Sequence, residues 1–291
     1  MNVLVTGANG QLGSEIKDCQ HHFKALNVVY ADLPDLDICN EDAVNTFVTI
    51  NGIKAVINCA AYTAVDRAEE DAETVRKVNA EAVFNLVKAM EKVNGKLIHI
   101  STDYVFDGTK YLPYDEEDTV SPIGVYGTTK RDGELAVIHS AMDGIVIRTS
   151  WLYSAYGNNF VKTMMRLGKE KEKLNVLFDQ IGTPTFAADL ASTCLAVLSS
   201  EQDRIDKAGK VYHFSNEGVA SWYDFATAIM KISKIDCEVF PIETKDYPTL
   251  AQRPHYTVLN KTKIKKDFNI TIPYWRDSLE KCIQKLNPKK K

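Results

Sequence analysis

The stretch Thr6-Gly7-Ala8-Asn9-Gly10-Gln11-Leu12-Gly13 decides the fold of this 291-residue chain. It follows directly on the β-branched run Asn2–Thr6 and opens an amphipathic segment, so its glycines stand between a predicted strand and a predicted helix. Glycines at such a turn let backbone amides approach a pyrophosphate at the helix N-terminus. The pattern predicts a dinucleotide-binding turn, with a purely structural turn as the alternative. The residues predicted to contact the cofactor are Gly7, Gly10, Gln11, Leu12 and Gly13.

Further β-branched runs alternate with amphipathic segments along the first half of the chain. The predicted strands are Asn2–Thr6, Asn27–Ala31, Lys54–Asn58, Lys96–Ser101 and Gly144–Thr149. Strands separated by helices pair in parallel, and right-handed crossovers place helices on both faces of the sheet. The sequence therefore predicts an α/β protein with a doubly wound parallel sheet, in which residues 1–150 form a dinucleotide-binding Rossmann domain.

Beyond Trp151 the alternation weakens and loop signals become frequent. We predict a smaller, mainly substrate-binding region over residues 151–291, because specific binding residues are often carried on loops. Helices are predicted at about 187–199, 222–232 and 275–286. Short β runs near 174–178 and 211–214 are candidates to return to the main sheet.

Composition limits the classes of partner. The 35 basic and 39 acidic side chains give a net charge of −4, so no global positive field attracts nucleic acid or an anionic membrane. No apolar run approaches the roughly 18 residues of a membrane helix, and the first residues resemble a strand rather than a secretory signal. The six cysteines show no Cys-x-x-Cys pair and are predicted to be free thiols. We expect a cytoplasmic protein with neither a nucleic-acid nor a membrane partner.

Residues after the second and third predicted strands complete the predicted cofactor site. Asp32 ends the second strand, where a carboxylate accepts a hydrogen bond from the adenosine ribose and favours NADH; an ordinary loop acid is the alternative. Asp37 and Ile38 are predicted to flank the adenine, unless Asp37 only caps the next helix. The segment after the third strand is rich in small residues and leaves room for the cofactor; its predicted contacts are Ala60, Ala61 and Tyr62. The choice between NADPH and NADH stays open.

A second constellation begins at the end of the fourth predicted strand. This strand delivers Ser101-Thr102-Asp103-Tyr104-Val105-Phe106-Asp107-Gly108 at its carboxyl end, where open parallel sheets bind ligands. The next predicted helix starts with Tyr126 and Lys130, whose Tyr-x-x-x-Lys spacing puts both side chains on one helical face. The three polar groups are therefore expected to meet in one site.

These residue types suit carbonyl reduction, which needs a hydride from a nicotinamide and a proton on the developing alkoxide. Tyr126 is predicted to donate the proton, and the Lys130 cation to lower the tyrosine pKa and hold the nicotinamide ribose. Thr102 is predicted to hydrogen-bond the carbonyl oxygen. Tyr-x-x-x-Lys is frequent by chance, but together with the glycine turn it predicts an NAD(P)H-dependent oxidoreductase.

The motifs of almost the whole chain resemble the dTDP-4-dehydrorhamnose reductase family of the extended short-chain dehydrogenase/reductase superfamily. Besides the glycine turn, the Thr102 strand end and the Tyr126–Lys130 spacing, the resemblance rests on further motifs. They are Asn58-Cys59-Ala60-Ala61-Tyr62-Thr63-Ala64-Val65-Asp66, Arg148-Thr149-Ser150-Trp151, Gly157-Asn158-Asn159-Phe160 and Arg253-Pro254-x-Tyr256-x-x-Leu259.

The resemblance implies reduction of the 4-keto group of dTDP-4-dehydro-L-rhamnose by NADPH or NADH, with Thr102, Tyr126 and Lys130 as the catalytic residues. Tyr104 stands where related dehydratases have a glutamate, which favours simple reduction over elimination. The implied contacts to the dTDP-sugar are Thr102, Asp103, Trp151, Asn158, Asn159 and Arg253. Buried packing for Trp151 and a structural ion pair for Arg253 are the alternatives.

Some members of this family form dimers that bind magnesium through interface glutamates, one of which Glu15 matches. The resemblance therefore leaves a homodimer and a Mg²⁺ ion open, with a solvent-facing helical acid as the alternative for Glu15. Two rival functions also stay open: a reductase or epimerase of another nucleotide sugar, and a non-catalytic dinucleotide-binding regulatory subunit. The presence of both Tyr126 and Lys130 argues against the second rival.

Overall fold

A six-stranded parallel sheet forms the centre of the computed structural model, which describes residues 1–200 and 211–287. The strands are β1 (Asn2–Thr6), β2 (Asn27–Ala31), β3 (Ala55–Asn58), β4 (Lys96–Thr102), β5 (Asp143–Thr149), β6 (Leu152–Tyr153), β7 (Lys173–Leu177), β8 (Ile181–Gly182), β9 (Thr185–Phe186), β10 (Val211–His213), β11 (Ala220–Ser221) and β12 (Glu238–Ile242). The helices are α1 (Gln11–Cys19), α2 (Glu41–Ile50), α3 (Val65–Ala68), α4 (Ala72–Arg76), α5 (Ala82–Lys92), α6 (Val125–Ile138), α7 (Phe160–Glu170), α8 (Ala187–Ser199), α9 (Trp222–Ser233), α10 (Thr262–Phe268) and α11 (Trp275–Leu286).

The strand order of the main sheet is β2-β1-β3-β4-β5-β10. The chain leaves β1 toward β2 on one side and returns to β3 on the other, so the strand order reverses between β1 and β3. Ligands of open α/β sheets bind in the crevice outside the carboxyl ends of the strands at such a switch point. The topology therefore places a binding crevice next to the glycine turn that follows β1.

Hydrophobic residues cover both faces of this sheet because side chains alternate along a strand. Val3 and Val5 pack with α1 and α8 on one face, whereas Leu4 packs with α2, α5 and α6 on the other. Two helical layers thus bury the sheet, as the near-continuous apolar strands require. The predicted doubly wound α/β fold is confirmed, and each predicted strand of the first 150 residues is found within one residue of its predicted bounds.

The second part of the chain forms its own hydrophobic cluster. Tyr153, Phe225 and Trp275 are central members of this cluster, which joins α7, α9 and α11 to the short strands. The predicted helices at 187–199, 222–232 and 275–286 are confirmed as α8, α9 and α11. Residues 201–210 and 288–291 of the predicted second region lie outside the described ranges.

The two candidate returning strands behave differently. β10 pairs with β5 and completes the main sheet, as expected. β7 instead pairs with β12 in a separate two-stranded sheet, so its return to the main sheet was a wrong expectation. The alternating buried and exposed residues of β7 explain this, since a strand with one solvated face suits a covered two-stranded ribbon rather than the doubly covered sheet.

Two further features of the structure concern the state of the cysteines and the apolar content of the helices. All six cysteines are free, as predicted. Among the helices of residues 1–200 and 211–287, none combines the length and the apolar composition that a membrane crossing requires.

Candidate active site

The glycine turn packs too tightly for side chains. Gly7 has a φ of +62°, and a Cβ added there would lie 2.6 Å from the backbone nitrogen of Ala60. A Cβ added to Gly13 would lie 2.6 Å from the carbonyl oxygen of Gly7. Gly10, the N-cap of α1, offers no side chain to cap that helix, and the first turn of α1 lines the adjoining cavity. This turn fits the phosphates of a dinucleotide, which bind at uncapped helix N-termini.

A cavity of about 600 Å³ lies at the carboxyl ends of the parallel strands. It joins the glycine turn to residues from both halves of the chain. The predicted site residues that line it are Gly10, Gln11, Leu12, Ala61, Thr102, Asp103, Tyr126, Lys130, Trp151, Asn158 and Asn159. The predicted site residues outside its lining are Gly7, Gly13, Asp32, Asp37, Ile38, Ala60, Tyr62 and Arg253.

Tyr126, in the first turn of α6, and Thr102, at the end of β4, line the same cavity. Burial raises the pKa of Tyr126 to about 12, and hydrogen bonding to the phenolate by the nearby Thr102 hydroxyl opposes this rise. The net shift is therefore opposite to the expected lowering by Lys130, because loss of hydration is its largest cause. The phenol keeps its proton at neutral pH.

Lys130 lies deep in the same site and is 2% exposed. Its Nζ donates a hydrogen bond to the carbonyl oxygen of Ile100 at 2.6 Å and lies 3.4 Å from Nε2 of His99. Burial lowers the pKa of Lys130 to about 8, against the opposing charge of Glu134 one turn along α6. This amine therefore changes its charge close to physiological pH.

A buried ion pair fixes α6 behind the site. One edge of the Arg148 guanidinium, on β5, donates two hydrogen bonds to Glu134, with Nε–Oε1 and Nη2–Oε2 distances of 2.8 Å. Arg131 adds a third hydrogen bond to Oε2 at 2.9 Å. Glu134 is fully buried, and these hydrogen bonds hold its pKa below the usual range although burial raises it. The paired charges hold the Tyr126 helix against the central sheet.

Trp151 extends the site toward the second half of the chain. Its φ of +47° lies in the left-handed region, which is unfavourable for a bulky residue and recurs at ligand sites. Its indole stacks on Trp222 with ring centroids 3.6 Å apart, and a Cβ added to Gly182 would lie 2.7 Å from that indole. The two tryptophans form an aromatic wall of the cavity, so Trp151 is not a purely buried packing residue.

Two more predicted substrate contacts have structural partners. Asp103 is 2% exposed, and burial raises its pKa to about 6, although Thr102 Oγ1 donates to its Oδ1 at 3.1 Å. Asn159 caps α7 through the backbone nitrogen of Lys162, and its amide donates to Gln11 Oε1 at 2.9 Å. Asn159 thereby ties the second half of the chain to the glycine turn.

The two acidic candidates for the adenosine end have different surroundings. Asp32 accepts hydrogen bonds from the backbone nitrogens of Asn9 and Leu33, each at 2.9 Å, so its carboxylate is turned toward the glycine turn. The side chain of Asn40 caps α2, so the alternative that Asp37 caps this helix is wrong. Asp37 remains a predicted adenine neighbour.

Arg253 forms the ion pair that the sequence analysis left open. Its Nη2 lies 2.7 Å from Oδ2 of Asp66, and its Nη1 lies 3.1 Å from Oδ1. Both residues line a second cavity of about 830 Å³, which shares Trp222 with the first. Contact between Arg253 and a substrate stays a prediction.

Glu15 is 1% exposed, so the alternative of a solvent-facing acid is wrong. Its carboxylate accepts hydrogen bonds from Ser154 Oγ at 2.6 Å and Lys285 Nζ at 2.7 Å. An ammonium already neutralises this carboxylate, so the surroundings of Glu15 do not fit a magnesium site. Throughout residues 1–200 and 211–287, no group of three or more His, Cys, Asp or Glu side chains could hold a metal ion.

Comparison with known proteins places this geometry in a family. The family model described as RmlD substrate binding domain matches residues 1–287. Over 286 residues the chain is 40% identical to a dTDP-4-dehydrorhamnose reductase of Aggregatibacter actinomycetemcomitans, with 96% of this chain and 97% of that protein covered. The chain belongs to the dTDP-4-dehydrorhamnose reductase family.

Solved structures of this family have the same fold. A dTDP-4-dehydrorhamnose reductase of Clostridium acetobutylicum is 42% identical with a TM-score of 0.92, covering 99% of this chain and 100% of that one. The family member of Bacillus anthracis, solved in complex with NADP, is 37% identical with a TM-score of 0.91, covering 98% of this chain and 99% of that one. The likeness therefore extends over both halves of the chain.

Several residues of the site were missed by sequence reasoning. The second layer behind Lys130 consists of His99, Glu134 and Arg148, and the aromatic wall includes Trp222. His99 stands next to a recognised motif, and its place in the middle of an apolar strand was an available signal. No spacing in the sequence connects Trp222 with Trp151, because their contact arises only in the folded chain.

Proposed function

We propose that this protein is an NAD(P)H-dependent dTDP-4-dehydrorhamnose reductase, which reduces the 4-keto group of dTDP-4-dehydro-L-rhamnose to give dTDP-L-rhamnose. The grouping of Thr102, Tyr126 and Lys130 carries this proposal, because all three line one cavity with the glycine turn. The names of full-length relatives at 40% and 42% identity support the choice of substrate.

When bound, the reduced nicotinamide dinucleotide supplies the hydride. The first turn of α1 would hold its phosphates, and Ala61 and Lys130 line the path from there into the cavity. Asp32 would face the adenosine ribose from the end of β2. The NADP complex of the Bacillus anthracis relative supports a nicotinamide dinucleotide in this place.

Three side chains each have one role in the transfer of a proton to the sugar. The Tyr126 phenol, protonated at neutral pH, donates its proton to the sugar oxygen as negative charge develops there. Thr102 orients that oxygen through a hydrogen bond. The ammonium form of Lys130 stabilises the phenolate that Tyr126 becomes, because opposite charges attract strongly in a site from which water is excluded.

The sugar nucleotide lies against the aromatic wall in this proposal. Trp151 covers the sugar, and Asp103, Asn158 and Asn159 offer hydrogen-bonding groups along the cavity. Tyr104, which also lines it, has no carboxyl group to act in the elimination of water. The lining therefore supports reduction rather than dehydration.

A direct assay tests the proposal. Purified protein is mixed with dTDP-4-dehydro-L-rhamnose and either NADPH or NADH, and the absorbance of the reduced cofactor is followed. We expect a decrease that depends on both substrates. An unchanged absorbance with both cofactors would contradict the proposal. Turnover of a different nucleotide sugar alone would show that the proposed substrate is wrong.

A further inference from the structure

A row of buried polar side chains crosses the central sheet behind Lys130. Thr6 on β1, Asn58 on β3 and His99 on β4 are register partners on adjacent parallel strands, so their side chains point to the same face. Asn58 is 1% exposed and His99 is fully buried. The row ends at Nζ of Lys130, 3.4 Å from Nε2 of His99.

The orientation of the Asn58 amide is fixed by a group that can only donate. The backbone N–H of Ala60 donates to Oδ1 of Asn58 at 3.2 Å, and the hydroxyl of Thr6 donates to the same oxygen at 2.7 Å. Nδ2 of Asn58 therefore faces His99, 3.1 Å from Nδ1. A flipped amide would oppose its NH₂ group to the N–H of Ala60, which has no acceptor to offer.

This orientation selects one tautomer of His99. Because Nδ2 of Asn58 is a donor without a lone pair to offer, Nδ1 of His99 must accept and carries no proton. The proton of the neutral ring then resides on Nε2. Burial, aided by the charge of Lys130, holds the pKa of His99 well below its usual range, so the ring stays neutral.

We infer that His99 is a positioning residue that sets the protonation state of Lys130: Asn58 holds its ring as the Nε2–H tautomer, which presents a donor to the Lys130 amine. A neutral amine accepts from that N–H through its lone pair and still donates to the carbonyl oxygen of Ile100. An ammonium has no lone pair with which to accept this hydrogen bond, so its own N–H donors would oppose the Nε2–H donor. The arrangement thus weakens proton binding at Lys130.

The glycine at position 133 supports this reading of the contact. A Cβ added to Gly133 would lie 3.3 Å from Nε2 of His99 and 2.3 Å from the carbonyl oxygen of Asn79. Glycine at this position therefore lets α6 pack against the backbone of Asn79 and keeps the space beside the imidazole free. The low pKa of Lys130, about 8, agrees with this arrangement, although burial is its first cause.

Other groups near Lys130 act on its charge as well. Glu134 lies on the same helix and favours the ammonium, but Arg148 and Arg131 already pair with it. The ionisable groups that line the same cavity, contact Lys130 or pair with Glu134 include Tyr126 and Glu134 on α6, Cys59 after β3, His99 on β4, Arg148 on β5, and Asp103 and Tyr104 after β4. Among them, His99 contacts Nζ directly.

The tautomer can be observed without any substrate. Nitrogen-15 NMR of histidine-labelled protein separates protonated from unprotonated ring nitrogens, and the His99→Gln variant assigns the signals. We expect an unprotonated Nδ1 and a protonated Nε2 for His99 from about pH 6 to about pH 9, since burial keeps the ring neutral. A proton on Nδ1, or on both nitrogens, overturns the inference even if the proposed function is wrong.

The Asn58→Asp substitution reverses the tautomer with little change in shape. The carboxylate that it introduces accepts from Nδ1–H, so Nε2 becomes an acceptor for the Lys130 ammonium. We expect the NMR signals of the two ring nitrogens to exchange character. The kinetic readout rests on the proposed function, in which activity needs the ammonium: the alkaline limb of the pH profile of kcat should move upward by about one unit.

The same change in a His99→Leu background, whose side chain cannot relay a hydrogen bond, separates the effect of the tautomer from the effect of the added charge. Asn58→Asp adds a negative charge in both backgrounds, but only the histidine ring transmits a change of proton position to Lys130. We expect a clearly smaller shift of the alkaline limb in the His99→Leu chain. Equal shifts in the two backgrounds, or no exchange of the ring signals, contradict the inference.

Discussion

At the scale of single residues, the proposed reduction depends on the proton of Tyr126. Replacing Tyr126 with Phe removes the phenolic hydroxyl and leaves the ring. We expect kcat to fall by about 10²- to 10⁴-fold, the usual contribution of a positioned general acid. Binding of the reduced cofactor, followed by its fluorescence, should stay nearly unchanged.

The matched control is Tyr212→Phe. The hydroxyl of Tyr212 donates to Asp267 on α10, away from the cavity lining. This variant should keep its activity. Comparable activity in the Tyr126→Phe protein would remove Tyr126 as the proton donor.

Asp103 makes stability depend on pH. Its pKa is about 6 in the folded chain against a reference of 3.8, because burial disfavours the carboxylate. Because the folded chain binds the Asp103 proton more tightly than the unfolded chain does, this proton contributes fully to stability below about pH 4. The contribution is lost as the pH rises through 6. The free energy of unfolding of the wild type should thus fall by up to about 3 kcal/mol relative to Asp103→Asn between these limits.

Asp107 supplies a control of opposite sign. Hydrogen bonds from Thr109 hold the pKa of Asp107 below its usual range, so its contribution is present above the unfolded pKa and lost as the pH falls. Urea unfolding of Asp107→Asn and Asp103→Asn across this range should give opposite slopes relative to wild type. Parallel slopes would rule out the assigned causes.

The predictable part of the site follows from local spacing. Tyr126 and Lys130 were placed together because one helical turn separates them, and Thr102 because parallel strands end at one edge. His99 and Asn58 meet through the lateral register of β3 and β4, which hydrophobic patterning does not reveal. The direction of the Tyr126 pKa shift was missed for a related reason, since burial is a property of the folded chain.

At the scale of elements, α6 is held on β5 by the Glu134–Arg148 pair. Arg148→Met leaves Glu134 buried with only Arg131 as a charged partner. Chemical denaturation should show a loss of about 3 kcal/mol in the free energy of unfolding, as for other broken buried pairs. The Tyr126 helix should also become less well fixed, so kcat should fall.

Arg166→Met is the matched control for this element. Arg166 pairs with Glu170 on the exposed surface of α7, and both side chains are more than half exposed. Its loss should cost less than about 1 kcal/mol. Equal losses in the two variants would show that the Arg148 pair has no special importance.

Helices and strands with a clear hydrophobic period were predicted correctly, but the pairing of the short strands with one another was not. β7 and β10 were both candidates to return to the main sheet, yet only β10 joins it. The alternating residues of β7 favour a sheet with one solvated face, but nothing in its local pattern identifies its partner β12, which lies far along the chain.

At the scale of the whole molecule, the cavity needs both halves of the chain. Trp222 on α9 stacks on Trp151, which follows the last strand of the first region. Trp222→Ala should raise KM for the sugar nucleotide by about 2- to 10-fold, the worth of an aromatic pair, with KM for the cofactor unchanged. Tyr223→Ala, at the next position of α9 and outside the lining, should leave both constants unchanged.

The most direct measurement of the central claim follows a hydrogen isotope from the cofactor to the sugar. The protein is incubated with dTDP-4-dehydro-L-rhamnose and nicotinamide cofactor deuterated at the transferred position, and the product is analysed by mass spectrometry and NMR. We predict dTDP-L-rhamnose carrying one deuterium at C4. A sugar product without deuterium, or deuterium at another carbon, would contradict the proposed reduction.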